Sequence, residues 1–295
     1  MLKINRKEGL SEFRHQAMAT DLVLSTGGVD RDYASQVAQC FFGRIDEIEK
    51  KLSLYLENSD VTRINLLEVG SRTKISTECI ECLMLAVQAS SVTRQRFHPM
   101  LGTLALREKG EVPPYLRHIS LSEKEESFDE ALEIDPAGRT VLKCREGVLL
   151  DLGGIGKGFA LDEAMMEIED WEVPQILANF GGSTLLFKNA NRDDPWSGSL
   201  DGTELEPFFN GAISSSGLGF QRGHIVSTKD RVVEWKRSYS RCESAGLADA
   251  LSTAAFLMDE KELAECSSVN SSFDLAVVGE NRSWGMDTFR KWIGT

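Results

Sequence analysis

Apolar residues along this chain recur in two rhythms. Between about Tyr33 and Leu56, the residues Val37, Phe41, Ile45, Ile48 and Leu52 return at intervals of three or four, and charged residues such as those of IDEIEKK fill the opposite positions. That spacing predicts an amphipathic helix. A second helix is predicted from about Thr77 to Arg94, with Ser76 as its cap. A third follows the glycine-rich run near Lys157 and continues through ALDEAMMEIED, and a fourth covers ADALSTAAFLMDEKEL at 248–263. Strand character marks MATDLVLST (18–26), QILANFGGSTLLF (175–187, broken at Gly-Gly), GAISSSG (211–217), GHIV (223–226) and FDLAVVG (273–279). TVLKCREGVLLDLG predicts a hairpin turning at Arg145–Gly147. Ser59-Asp60 opens a turn or short helix, and the proline-bearing stretch 98–125 reads as loop.

Helices and strands interleave without a regular βαβ alternation, which predicts an α+β fold rather than a doubly wound sheet. No internal repeat, low-complexity tract or linker divides the chain, so residues 1–295 are expected to form a single domain. Hydrophobic residues at 41% and charged residues at 27% are ordinary for a globular protein with a sizeable core.

The formal net charge of −13 repels nucleic-acid phosphate and anionic lipid, so neither is an expected partner. The first residues lack an apolar core of signal-peptide length, and no apolar run is long enough to span a bilayer. A cytoplasmic protein without membrane insertion is expected. Cys79 and Cys82 form a C-x-x-C inside a helical run with no second pair, which favours a buried helical pair over zinc or redox chemistry.

The stretch LDLGGIGKGFALDEA (150–164) carries the most chemistry. Four glycines surround Lys157, Asp151 precedes them, and a helix follows. Backbone amides of such a turn approach an anion closely, and the helix adds its N-terminal dipole. Neither standard phosphate motif fits. The P-loop needs glycine at Asp151 and serine or threonine at Gly158, and the dinucleotide fingerprint needs glycine at Phe159. A tight strand-to-helix turn with a solvated lysine remains open as the plainer reading. Near the other end of the chain, Asp249, Ser252 and Thr253 stand at i, i+3 and i+4 of a predicted helix and share one face. They suit a hard cation, or else Asp249 caps the helix and the hydroxyls are merely polar.

DLGGIGKGFALDEA resembles the signature of the ApbE-like flavin transferases, the FAD:protein FMN transferases. MAT (18–20), LSLYLENSDVTRIN (52–65), RFHPMLGTL (96–104), NFGGS (179–183), ISSSG (213–217), GHIV (223–226) and ADALSTAAF (248–256) resemble that family in the same order. The resemblance implies a T-fold-related α+β domain with a mixed or antiparallel sheet and flanking helices. It implies an enzyme that uses Mg²⁺ and FAD to attach FMN to a Ser or Thr hydroxyl of a target flavoprotein, with AMP released. By resemblance the Gly154 carbonyl, Asp249 and Thr253 hold the metal, and Ser252 lies where some members also ligate. Lys157 and Asp151 would face the nucleotide, while Met18, Tyr55, Phe97, His98 and Ile225 match positions that enclose FAD. His224 matches a histidine assigned as general base, a role suited to a group titrating near neutrality.

Two blocks depart from the family pattern. Ser227 and Thr228 stand where an Asp-Pro usually follows the histidine, and Phe97-His98-Pro99 replaces an F-D-P block. A binder of flavin nucleotide that transfers nothing, and Mg²⁺-dependent FAD hydrolysis to FMN and AMP, are the alternatives the sequence leaves open.

Overall fold

The structure, a computed structural model, describes residues 2–5, 7–101, 112–119, 127–217, 235–269 and 271–291. In chain order these form β1 (Leu2–Ile4), β2 (Ser11–Ala17), β3 (Thr20–Gly27), α1 (Arg31–Leu52), α2 (Asp60–Asn65), β4 (Arg72–Lys74), α3 (Thr77–Val92), α4 (Phe128–Ala131), β5 (Leu132–Asp135) and β6 (Thr140–Lys143). They continue with α5 (Gly156–Glu167), β7 (Gln175–Phe180), β8 (Thr184–Asn189), β9 (Gly198–Leu200), β10 (Thr203–Glu204), β11 (Gly211–Gly217) and β12 (Arg237–Cys242). The last are α6 (Ala245–Leu257), α7 (Glu260–Val269), β13 (Phe273–Val278), β14 (Ser283–Trp284) and α8 (Met286–Phe289).

The expected α+β architecture is present. An eight-stranded sheet runs β14-β13-β12-β11-β8-β7-β3-β2, and two three-stranded sheets, β1-β9-β10 and β4-β6-β5, accompany it. Neighbouring strands pair antiparallel throughout the described residues. Strand side chains alternate between faces, and this divides the apolar material in two. Leu186, Ala212, Leu275 and Val277 join the main core under α1, α3, α5 and α6. Leu185, Phe187, Ile213 and Ala276 point the other way, onto Trp196, Phe208 and Phe289. No described helix is long and apolar enough to cross a membrane.

Local chemistry corrects several boundaries. The first helix stops at Leu52 because Ser53 turns extended, and the Ser59 hydroxyl donates to the Ser53 carbonyl at 2.6 Å. Tyr55 therefore lies beyond the helix and is 57% exposed, so it is not a core residue. The hairpin sits one strand earlier than expected. β6 pairs with β5 around a turn at 136–139, where the Asp135 carboxylate accepts from the Gly138 amide, while 148–153 is irregular. The helix expected at 248–263 is two helices, parted where Met258 is extended and its carbonyl accepts from the Trp235 indole at 2.7 Å. β2 escaped the sequence reading. Its charged side chains suit the edge position it occupies.

Candidate functional site

The glycine turn is fixed from both sides. Asn65, at the end of α2, accepts from the Leu150 amide at 2.7 Å and donates to its carbonyl at 2.9 Å. The Lys143 ammonium in turn donates to the Asn65 carbonyl at 2.7 Å. Asp151 follows at once. Its amide donates to the Pro99 carbonyl at 3.0 Å, and its carboxylate accepts from the Gly153 amide at 2.8 Å. Asp151 thus orients the turn by accepting one of its amides. Phe97 and His98, immediately before Pro99, are buried at 4% and 3% exposure.

Gly154 sits where a side chain would not fit comfortably. A β-carbon there would lie 3.2 Å from the Phe97 ring and 3.6 Å from the Thr253 hydroxyl. Residues 154 and 253, about a hundred positions apart, therefore face each other. Lys157 lies in the first turn of α5. Its ammonium is 3.4 Å from an Asp249 carboxylate oxygen and 3.3 Å from the Gly153 carbonyl.

Asp249 does not cap its helix. Ser244 does, accepting from the Leu247 amide at 3.1 Å, which places Asp249 in the second turn of α6. Its carboxylate is 4% exposed and accepts from Thr184 and Ser214 hydroxyls at 3.3 Å each and from the Gly158 amide at 3.4 Å. Ser252 and Thr253 both donate to the Asp249 carbonyl, at 3.0 and 3.2 Å. Ser216 links them laterally, 2.8 Å from the Ser252 hydroxyl and 3.4 Å from that of Thr253. Ser252 is fully buried in this serine cluster, whereas Thr253 is partly exposed.

Two turns close the same end of the large sheet. Met18 and Ala19 connect β2 to β3 with φ of 48° and 58°, a left-handed pair seldom held by such residues. Gly181 and Gly182 turn β7 into β8, and the Gly181 amide donates to the Asp21 carbonyl at 2.8 Å. The MAT, NFGGS and ISSSG blocks are thereby neighbours. His224 and Ile225 lie outside the described residues, as do Ser227 and Thr228.

Among the described residues no group of three or more His, Cys, Asp or Glu side chains is placed to hold a metal ion. The donors that do converge are a carboxylate, hydroxyls and peptide carbonyls. Such an oxygen-only set with one carboxylate fits Mg²⁺, which takes few protein ligands and completes its shell with water and substrate phosphate.

Known proteins resemble this chain in sequence and in fold. The ApbE family pattern matches residues 18–276. This chain belongs to the ApbE family. An FAD:protein FMN transferase of Chlamydia muridarum is 25% identical over 242 residues, covering 75% of this chain and 74% of that protein. The flavin transferase ApbE of Vibrio cholerae has a similar fold, with a TM-score of 0.76 and 17% identity over 95% of this chain and 98% of that one. An ApbE protein of Thermotoga maritima superposes with a TM-score of 0.72 at 22% identity, over 96% of this chain and all of its own.

Within this ApbE-family site, Asn65, Asp162, Thr184, Ser214 and Ser216 went unrecognised in the sequence. Asn65, Asp162, Ser214 and Ser216 lie inside stretches that carry the family resemblance, yet spacing alone gives no sign of the backbone groups and carboxylate they serve. Asp162 accepts from the Ser244 hydroxyl at 2.7 Å and from the Ala245 and Gly246 amides at 2.8 and 2.9 Å. Burial raises its carboxyl above the ordinary range against the pull of those three bonds.

Proposed function

We propose that this ApbE-family transferase moves FMN from FAD to a Ser or Thr hydroxyl of a target flavoprotein and releases AMP. The observation that carries this reading is the meeting of the glycine turn with the Asp249 face of α6: a buried carboxylate, a threonine hydroxyl, a lysine and a helix N-terminus in one place. That combination suits a pyrophosphate and a hard cation. Gly154, Asp249 and Thr253 would hold Mg²⁺, with Ser252 as a further ligand if it leaves Ser216. When bound, the ion polarises the phosphoryl oxygens and offsets charge on departing AMP.

The chain's own groups perform the remaining work. Lys157 adds positive charge at the first turn of α5, where a phosphate oxygen can replace its contact with Asp249. Asp151 holds the glycine turn in shape by accepting the Gly153 amide. Exposed Tyr55 offers a ring for stacking on the flavin or adenine, and the family resemblance assigns Met18, Phe97, His98 and Ile225 to enclosing FAD. The acceptor oxygen bonds to the FMN phosphorus, the pyrophosphate P–O bond breaks, and AMP leaves with the bridging oxygen. His224, the base the family resemblance assigns, takes the acceptor proton. A cytoplasmic setting belongs to the same reading.

The test is to incubate the protein with FAD, Mg²⁺ and a panel of flavoprotein acceptors bearing Ser or Thr at the attachment point. Covalent fluorescent flavin on an acceptor with an equal amount of AMP is expected. AMP without labelled acceptor would replace transfer by hydrolysis, and bound but intact FAD would leave only a flavin-binding protein.

A further inference from the structure

We propose that Asp162 is a positioning residue that sets α6, and with it Asp249 and Thr253, against the glycine turn. The proposal rests on the magnesium reading above. Asp162 lies on α5, five residues after Lys157, in the same helix that follows the glycine turn. One carboxylate oxygen accepts from the Ala245 amide, and the other accepts from the Gly246 amide and the Ser244 hydroxyl. These are the first groups of α6. A helix start leaves its first amides without intrahelical partners, and Ser244 satisfies the Leu247 amide. Asp162, from another helix, satisfies two of the rest.

The bond set therefore pins the start of α6 to α5 rather than to its own chain. The helices also touch through backbone here: a β-carbon on Gly158 would lie 2.0 Å from the Ala245 carbonyl oxygen. A contact so close has almost no slack, and the Gly158 amide reaches the Asp249 carboxylate from the same turn of α5. Lys157 and Gly154 are carried by α5 and its turn, while Asp249 and Thr253 are carried by α6. Asp162 ties α5 to the start of α6, one turn before the Lys157–Asp249 pair joins the same two helices. Outer groups that orient ligands in this way are worth roughly 10- to 100-fold in metal affinity.

Asp162→Asn puts an NH₂ where one of the accepting oxygens stood, opposing donor to donor, and keeps the side chain's shape. The full chain is compared with Phe208→Leu, which thins the core on the far face of the sheet. Three readouts are taken: hydrogen exchange over 244–253, equilibrium Mn²⁺ binding, and the split between Mg²⁺ half-saturation and kcat for AMP release. Asp162→Asn should speed exchange over 244–253 at least tenfold and weaken Mn²⁺ binding about 10- to 100-fold. It should raise Mg²⁺ half-saturation by a like factor, with kcat at saturating metal changed less than threefold. Phe208→Leu should lower Tm with none of these effects. Unchanged exchange over 244–253, or Mn²⁺ binding weakened no more than by Phe208→Leu, would overturn the proposal. Absence of Mn²⁺ binding by the wild-type chain would refute the magnesium reading instead, and the exchange comparison would still decide whether Asp162 holds α6.

Discussion

Replacing Gly158 by alanine sets two physical effects against each other. Helix propensity alone favours alanine over glycine in a helix interior by about 1 kcal/mol. Sterics oppose it. The new methyl would lie 2.0 Å from the Ala245 oxygen, 2.4 Å from its carbonyl carbon and 2.7 Å from the Gly246 Cα, all of them backbone. No rotamer relieves a clash with backbone, so α5 and α6 must part by roughly 1.4 Å to restore ordinary contact. Overpacking of this kind costs about 1–3 kcal/mol, and more where backbone must move. The net expectation is a loss of about 2 kcal/mol or more despite the better helix former. Gly156, two residues earlier on the same helix, has nothing within 4 Å of its would-be β-carbon. Gly156→Ala should gain up to about 1 kcal/mol. Urea denaturation of both variants beside wild type measures the difference, and AMP release should fall in Gly158→Ala, since a misplacement near 1 Å can cost about 100-fold. A Gly158→Ala protein as stable as Gly156→Ala would refute the close helix crossing.

The remaining predictions concern local chemistry. Burial alone would raise the Glu78 carboxyl, but Lys51 and Arg44 hold it down at about 2 against an ordinary 4.5. A depressed carboxyl stabilises the fold above its unfolded value and loses that contribution as pH falls. Tm should therefore drop between pH 4.5 and 2, and Glu78→Gln should flatten that part of the curve. Cys79 and Cys82 are buried with their thiols pushed up by burial, so a thiol reagent should label neither until the protein unfolds. Ala19→Gly should stabilise by about 1 kcal/mol in thermal unfolding, because glycine takes the left-handed conformation without a β-carbon clash. A loss of stability would contradict the hairpin geometry.

Long amphipathic or strongly apolar segments were legible in the sequence because burial imposes period on them. The α1 stripe from Val37 to Leu52 and the β7–β8 pair around Gly181-Gly182 are examples. β2 was not legible, since an edge strand needs only one partner and its Glu12 and Arg14 give no apolar run. The end of α6 was hidden because Met258 is itself apolar, and what stops the helix is an indole from Trp235, a contact distant in sequence. The same division holds in the site. Asp249, Ser252 and Thr253 could be set on one face by spacing, but Thr184, Ser214 and Asp162 act on atoms brought near only by folding. Sequence distance conceals such partners however informative each motif is.

If the glycine turn and the Asp249 face of α6 form one nucleotide and metal site, turnover must depend on both Mg²⁺ and the Asp249 carboxylate. The deciding measurement is AMP release from FAD across a Mg²⁺ titration, for wild type and Asp249→Asn side by side. Wild type should show saturable, EDTA-sensitive release, and a folded Asp249→Asn protein should lose at least about 100-fold. Release that persists in EDTA, or that Asp249→Asn leaves unchanged, would contradict the shared site.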